Sequence, residues 1–189
     1  MLLFSAETGE LLALMEASAI TAIRTAAVSG LATELLARTD ASVLALIGTG
    51  VQARSHLLAI SSVRSINRCR VVSRNIQHAQ DFVAQMRANF QFPLEPVETV
   101  AAALHGADLI VTVTNTVEPI VRREWISPVA HLNAVGSSTP KAREVDSATM
   151  AASSLFVDRR ESTLSESGDY LFALQDGAIG PNHILTNDG

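Results

Sequence analysis

Aromatic residues are scarce in this 189-residue chain: six Phe, one Trp and one Tyr, 4% of the total. So few rings leave little material for platforms on which bases stack. Charged residues are sparse too, at 17%, with a formal balance of −5 and no cluster of Lys or Arg. The electrostatic footprint of a nucleic-acid binder is therefore missing, and no nucleic-acid partner is expected. A single cysteine, Cys69, excludes an internal disulfide and suits a reducing compartment, so a cytoplasmic location is expected. Cys69 lies in an apparent strand and reads as a core thiol. His56, His78, His105, His131 and His183 are scattered without ligand spacing, and no metal site is expected. No apolar run approaches the roughly 20 residues of a bilayer crossing. The Met-Leu-Leu-Phe start carries Glu7 and no basic region, unlike a signal peptide, so no membrane partner is expected.

What is abundant is apolar: 48% of residues, enough for one domain with a full core, or one domain plus a piece of another. Leu2-Leu3-Phe4 and Leu11-Leu12-Ala13-Leu14 flank a Gly-containing loop and predict a hairpin over residues 1–16. A lone hairpin is marginal in water, so it reads as the edge of a sheet whose other strands lie elsewhere. Residues 18–38 predict a long helix, with Ser18 as N-cap. Ile20, Ile23, Ala27, Leu31 and Leu35 form an apolar stripe, and Arg24 points into its middle. A guanidinium there needs a route to water, a partner such as Glu34, or an anionic ligand. The ligand would be a substrate carboxylate or a cofactor phosphate, with Thr25 adding a hydroxyl.

From residue 42 the pattern alternates. Strands are expected at residues 43–47, 68–72, 94–97, 109–114, 131–135 and 155–157. Helices are expected at 51–62, 76–89, 99–104, 147–152 and 165–175. Such alternation implies right-handed crossovers and a parallel sheet. The expected fold is α/β: a Rossmann-type doubly wound sheet of order 3-2-1-4-5-6, plus the hairpin. The first of these strands runs directly into Gly48-Thr49-Gly50-Val51-Gln52-Ala53. This is the strand–turn–helix form of a dinucleotide-binding loop. Gly48 allows the tight turn, Gly50 lets a pyrophosphate approach, and Ala53 lets the helix pack close. The helix N-terminus offers free N–H groups and a positive dipole end. At the carboxyl ends of the fourth and fifth strands, Thr112, Val113, Thr114 and Val135 should face the other end of the cofactor.

NAD-binding members of this fold place a carboxylate near the end of the second strand. Here Ser73, 23 positions after Gly50, is followed by Arg74 and Asn75. A hydroxyl, a guanidinium and an amide suit a 2′-phosphate, so NADP(H) is preferred, with NAD(H) possible. The competing explanation for Arg74 is a solvated cation at a helix start, where the dipole disfavours it.

Several segments occur together in a recognisable order: Thr8-Gly9, Thr21-Ala22-Ile23-Arg24-Thr25-Ala26-Ala27, the Gly48–Ala53 loop, Ser73-Arg74 and Ala107-Asp108-Leu109-Ile110-Val111-Thr112. After these come Val135-Gly136-Ser137-Ser138-Thr139-Pro140, Arg143-Glu144-Val145-Asp146 and Val157-Asp158. Together they resemble the ornithine cyclodeaminase/mu-crystallin family. The resemblance implies a nicotinamide dinucleotide in the Rossmann domain. It also implies a second, dimer-forming domain, built from both chain ends, that holds an amino acid or cyclic imine. By analogy Arg24 holds the substrate carboxylate or sits beside the pyrophosphate. Thr25, Thr49, Gly50, Val51 and Gln52 line the cofactor, Ser73 and Arg74 its adenosine end, and Thr112 and Val135 its nicotinamide end.

Two departures from the family pattern matter. The cyclodeaminase branch carries a catalytic Asp where this chain has Ser138. A hydroxyl cannot manage amine protons as a carboxylate does. The resemblance therefore implies reduction of a cyclic ketimine, of the pyrroline or piperideine 2-carboxylate type, or amino-acid dehydrogenation. Ser138 would orient the imine or a water. Ornithine cyclisation and cofactor binding without catalysis are the alternatives. The second departure is length: family segments expected before Met1 and after Gly189 are not in the sequence. The expected division is a hairpin remnant of the substrate and dimerisation domain at 1–17, a connecting helix at 18–40, the dinucleotide domain at 41–178 and a tail at 179–189. A homodimer is expected for the full-length form.

Overall fold

The computed structural model describes residues 1–185. Residues 186–189, the end of the expected tail, lie outside the described residues. Strands β1 (Leu2–Phe4) and β2 (Leu11–Leu14) pair antiparallel, and Gly9 in their loop has φ +71°. The long helix α1 spans Ala17–Leu36. Then follow β3 (Val43–Ile47), α2 (Val51–Val63), β4 (Arg68–Val72), α3 (Ile76–Met86), β5 (Leu94–Pro96) and α4 (Val100–Leu104). The remaining elements are β6 (Leu109–Thr112), β7 (His131–Ala134), α5 (Ser147–Ala151), α6 (Arg160–Glu166) and α7 (Gly168–Gln175).

The five strands from β3 onward form one sheet, ordered β5-β4-β3-β6-β7 and parallel at every pairing. Numbered along the sheet this is 3-2-1-4-5, the doubly wound order expected. The sixth expected strand, Leu155 to Val157, does not join. Leu155 makes a single bridge to Ile184, and Phe156 is exposed. The chain instead packs Ile179 and Ile184 into the core beside Tyr170 and Val145. The last expected helix is two helices, broken at Ser167. A Cβ at Gly168 would stand 2.0 Å from the Ala142 carbonyl oxygen, so the chain passes too close there to continue as an ordinary helix surface.

Alternate residues of β3 feed the two faces of the sheet. Leu44 and Leu46 pack with Leu57, Ile60, Cys69 and Phe82; Ala45 and Ile47 pack with Leu104, Ile110, Val121 and Tyr170. Cys69 is fully buried, and burial pushes its thiol up, with the Glu95 charge adding to this. It is the core thiol expected. Asp108 holds the start of β3, accepting from the Ser42 and Val43 N–H groups and from Arg38.

Helix α1 inverts the expectation drawn from its apolar spacing. Its cap is Glu16, which accepts from the Ser18 and Ala19 N–H groups, rather than Ser18. Its buried residues are Ala22, Ala26, Ser29, Gly30 and Thr33, whereas Ile23, Leu31 and Leu35 are exposed. Close approach to α2 selects small residues: a Cβ at Gly30 would lie 3.5 Å from the Ala59 Cβ. Ser29 reaches His56 Nε2 at 3.1 Å, and His56 Nδ1 lies 2.8 Å from the Gln52 carbonyl oxygen. This pairing makes Nδ1 the donor and leaves Nε2 to accept the Ser29 hydroxyl. Burial holds His56 below its ordinary pKa, opposed by the Gln52 contact. By length and composition alone α1 also reaches what a bilayer crossing needs, which the run-length reading did not register.

The seam predicts two opposite substitutions. Gly30→Ala meets only ordinary contact at 3.5 Å, and should raise the unfolding free energy by up to ~1 kcal/mol through helix propensity. Gly30→Leu should lower it by overpacking, by about 1–3 kcal/mol. Urea titrations would check both. A destabilising Gly30→Ala would contradict the seam.

Candidate functional site

Three strand ends meet at the same level. Ile47 of β3 lies opposite Val72 of β4 on one side and Thr112 of β6 on the other. The Gly48 N–H donates to Val72 O at 2.9 Å and the Val113 N–H to Ile47 O at 2.9 Å. Gly48 has φ +115°, and a Cβ there would stand 2.7 Å from Val113 O. Both the backbone angle and the crowding require glycine. Gly50 is different. Its φ of −79° is open to any residue, and a Cβ there would meet nothing within 4 Å. Nothing in the protein demands glycine at this position, and the space in front of it is open.

Helix α2 starts directly behind this space. Asn75, Thr99 and Asp146 accept first-turn N–H groups at the starts of α3, α4 and α5. Gly50 gives α2 no side-chain cap. Its first N–H groups and dipole end are left for an anion. Ala53 is fully buried in the α2–β3 contact. In the first turn Gln52 Oε1 is buried and accepts no hydrogen bond, an orphaned polar atom beside the loop. Val51 is exposed. Open space in front of Gly50 and an uncapped helix start together fit a bound pyrophosphate; the Gln52 oxygen, an acceptor, is suited to a hydroxyl donor and not to the phosphates.

At the end of β4 the Thr49 hydroxyl donates to Ser73 Oγ at 3.4 Å, joining the loop to the expected adenosine end. Arg74 is exposed and has no carboxylate partner among the described residues. The Asn75 side chain is committed to α3, accepting from the Gln77 N–H at 2.9 Å. Only its amide N–H groups remain for a ligand.

The ends of β6 and β7 are held by a buried carboxylate. Thr112 is fully buried and its hydroxyl donates to Glu144 Oε2 at 2.7 Å. Thr114 donates both its N–H and its hydroxyl to Glu144 Oε1, at 2.7 and 2.6 Å. Both threonine hydroxyls are turned onto a buried carboxylate. Val113, Thr114 and Val135 are each half-buried at the carboxyl ends of these strands. The Val135 N–H donates to Thr112 O at 3.0 Å. Ser138 is exposed in the turn after β7, its N–H donating to Gly136 O at 2.9 Å. On α1, Arg24 is exposed and Thr25 half-buried. Arg24 forms no ion pair among the described residues, with Glu34 or otherwise.

Glu144, Ser137 and Asp169 carry this end of the sheet, and spacing gave no sign of them. The Asp169 carboxylate accepts from the Glu144 and Val145 N–H groups at 2.8 and 3.0 Å. Its own N–H donates to Ser137 Oγ at 2.9 Å. Burial pushes Asp169 up to about 6; its two backbone donors oppose this, the Glu144 charge adds to it, and Arg143 lowers it. A carboxyl that holds its proton more tightly when folded stabilises most below its unfolded pKa. That contribution is lost as pH rises through the folded value. In Asp169→Asn the amide oxygen can still accept both N–H groups. The stability of the wild type relative to this variant should therefore fall by roughly 2–3 kcal/mol between pH 4 and pH 7. Urea titrations of both proteins at the two pH values would measure it, and parallel behaviour would refute it.

The family model of the ornithine cyclodeaminase/mu-crystallin family matches residues 1–186. Ketimine reductase mu-crystallin of Mus musculus is 42% identical over 175 residues, covering 93% of this chain and 55% of that protein. Among solved structures, Thermococcus litoralis Δ1-pyrroline-2-carboxylate reductase in complex with NADH and L-proline matches with a TM-score of 0.93 and 40% identity. The match covers 97% of this chain and 57% of that one. An archaeal alanine dehydrogenase dimer with bound NAD matches with a TM-score of 0.85 and 31% identity, over 97% of this chain and 56% of that one. The chain thus spans about half the length of the curated relatives it matches. It belongs to the ornithine cyclodeaminase/mu-crystallin family.

Proposed function

We propose that this family member binds a nicotinamide dinucleotide on the Gly48–Ala53 loop and serves the reduction of a cyclic ketimine carboxylate, of the pyrroline or piperideine 2-carboxylate type. The observation that carries the reading is the superposition of 97% of the chain on a reductase holding NADH and L-proline. The empty space before Gly50 and the uncapped α2 support it independently. When bound, the reduced cofactor supplies a hydride to the imine carbon, and the imine nitrogen takes a proton. The chain's part is to hold and orient. The α2 N-terminus meets the pyrophosphate charge, and Ala53 lets the helix approach the sheet closely. Val113 and Val135 border the nicotinamide end. The free Arg24 guanidinium is suited to a substrate carboxylate as a planar fork. The Ser138 hydroxyl orients the imine or a water. Since Ser138 is not a carboxylate, release of ammonia from ornithine is not expected, and detecting it would overturn this assignment.

The finer preference is for NADP(H). It rests on Ser73 and the unpaired Arg74 at the end of β4, where no carboxylate stands. The relatives solved with NADH and NAD support a nicotinamide cofactor and are neutral on the phosphate. Arg74→Ala should weaken NADPH about tenfold, the loss of one charge-assisted contact, and leave NADH within about twofold. Fluorescence titration of both cofactors reads this directly. An unchanged NADPH/NADH affinity ratio would remove the assignment.

The proposed assembly is a homodimer, with residues 1–17 as part of a second domain. Leu2, Leu3, Phe4, Leu11, Leu12 and Leu14 all stand exposed on the hairpin, Leu14 at 78%. Contiguous apolar surface of this kind marks an interaction site, and the alanine dehydrogenase neighbour is a dimer. Sedimentation equilibrium should give a dimer that Leu12→Glu/Leu14→Glu dissociates. A monomeric wild type would refute it.

A further inference from the structure

Glu144 is a fully buried carboxylate that the proposed chemistry does not use. Between them its two oxygens serve two strand ends, with Oε2 shared by both. Oε1 accepts the N–H and hydroxyl of Thr114, just past β6. Oε2 accepts the Thr112 hydroxyl at 2.7 Å and the Gly136 N–H, just past β7, at 2.6 Å. Gly136 is moulded to this contact: a Cβ there would stand 2.6 Å from Glu144 Cδ and 2.1 Å from Thr114 O. The Glu144 N–H is held in turn by Asp169 at the start of α7. The side chain is thus a clamp fixed at its own backbone and closed on two neighbouring strands.

The four donors explain why a carboxylate is needed. Hydroxyls can rotate to suit a neighbour, but the N–H groups of Thr114 and Gly136 cannot. One lies on each oxygen, so both oxygens must be acceptors. A glutamine turned either way sets its NH2 against one of these N–H groups and must release that strand end.

We propose that Glu144 is the positioning residue of the nicotinamide end of the site: it sets the spacing of the β6 and β7 termini, and through them the Val113 and Val135 backbone, without touching cofactor or substrate. The proposal rests on the reading that a nicotinamide dinucleotide occupies the Gly48–Ala53 loop. It separates the two halves of that ligand. Loop, Ser73 and Arg74 hold the adenosine diphosphate half independently of Glu144, whereas the nicotinamide half depends on it.

The test compares NADPH with 2′,5′-ADP, which lacks the nicotinamide half, by titration calorimetry on the full chain. Glu144→Gln should weaken NADPH at least tenfold and leave 2′,5′-ADP within twofold. Thr112→Val, which deletes one donor at constant shape, should give a smaller loss of the same kind, and Thr112→Ser should restore binding. Hydrogen exchange without ligand should show the Thr114 and Gly136 amides protected in the wild type, and one of them released in Glu144→Gln. Equal weakening of both ligands would reduce Glu144 to general stability and overturn the proposal. Unchanged NADPH binding, or two amides still protected in the variant, would overturn it too. If the wild type binds neither ligand while the exchange pattern holds, the dinucleotide reading has failed. The clamp then stands as a structural fact and the positioning role falls.

Discussion

Everything at the candidate site hangs on the level ending of three parallel strands at Gly48. The β3 strand leaves the sheet by a turn whose φ of +115° and 2.7 Å approach to Val113 O admit only glycine. On either side, the Val72 carbonyl and the Val113 N–H close the ladder one residue beyond the strand. This fixes where α2 begins and aims its uncapped N-terminus across the end of the sheet. Strand order reverses at β3, the place where doubly wound sheets bind ligands beyond the carboxyl ends of their strands. A side chain at Gly48 would have to move β6 away.

The second half of the candidate site is built by different physics. The loop at β3 works by absence of side chains and by backbone dipoles. The ends of β6 and β7 are joined by the buried Glu144 carboxylate, which accepts backbone and hydroxyl donors and forms no ion pair among the described residues. Burying a charge is costly unless its hydrogen bonds are complete. Glu144 meets that condition with four donors; Asp169, one step behind, has only two backbone N–H groups, both on Oδ1, and burial raises its pKa to about 6. One end of the candidate site is thus set by the covalent path of the chain at Gly48, and the other by a side chain distant in sequence.

Helix α1 shows how spacing can identify an element and miss its orientation. Ile20, Ile23, Leu31 and Leu35 recur as an amphipathic helix should, yet they face outward. The buried face is Ala22, Ala26, Ser29, Gly30 and Thr33, because two helices meeting across Gly30 and Ala59 leave no room for larger groups. The same inversion relieves Arg24. An arginine on an outward face is solvated, and its availability to a ligand follows from exposure rather than from desolvation.

Sequence alone determined the parts governed by local chemistry. Alternating strands and helices, the β3-to-α2 glycine turn, the Ala53 contact and the core thiol follow from residue types at short spacing, while the family came from the resemblance of segments along most of the chain. Backbone geometry and hydrophobic period act within a few residues, so they are legible there. Tertiary structure decided what depends on residues far apart in the chain. Thr112 and Thr114 are expected at the ligand from their place at a strand end; that their hydroxyls donate to Glu144, some 30 residues on, only the fold shows. That the Asn75 oxygen caps α3, leaving its amide N–H groups for a ligand, is likewise visible only in the fold. The sixth strand was lost because Leu155 paired with Ile184 instead of with β7. Each is a competition for one hydrogen-bonding group or one patch of surface, and only the folded chain brings the competitors together.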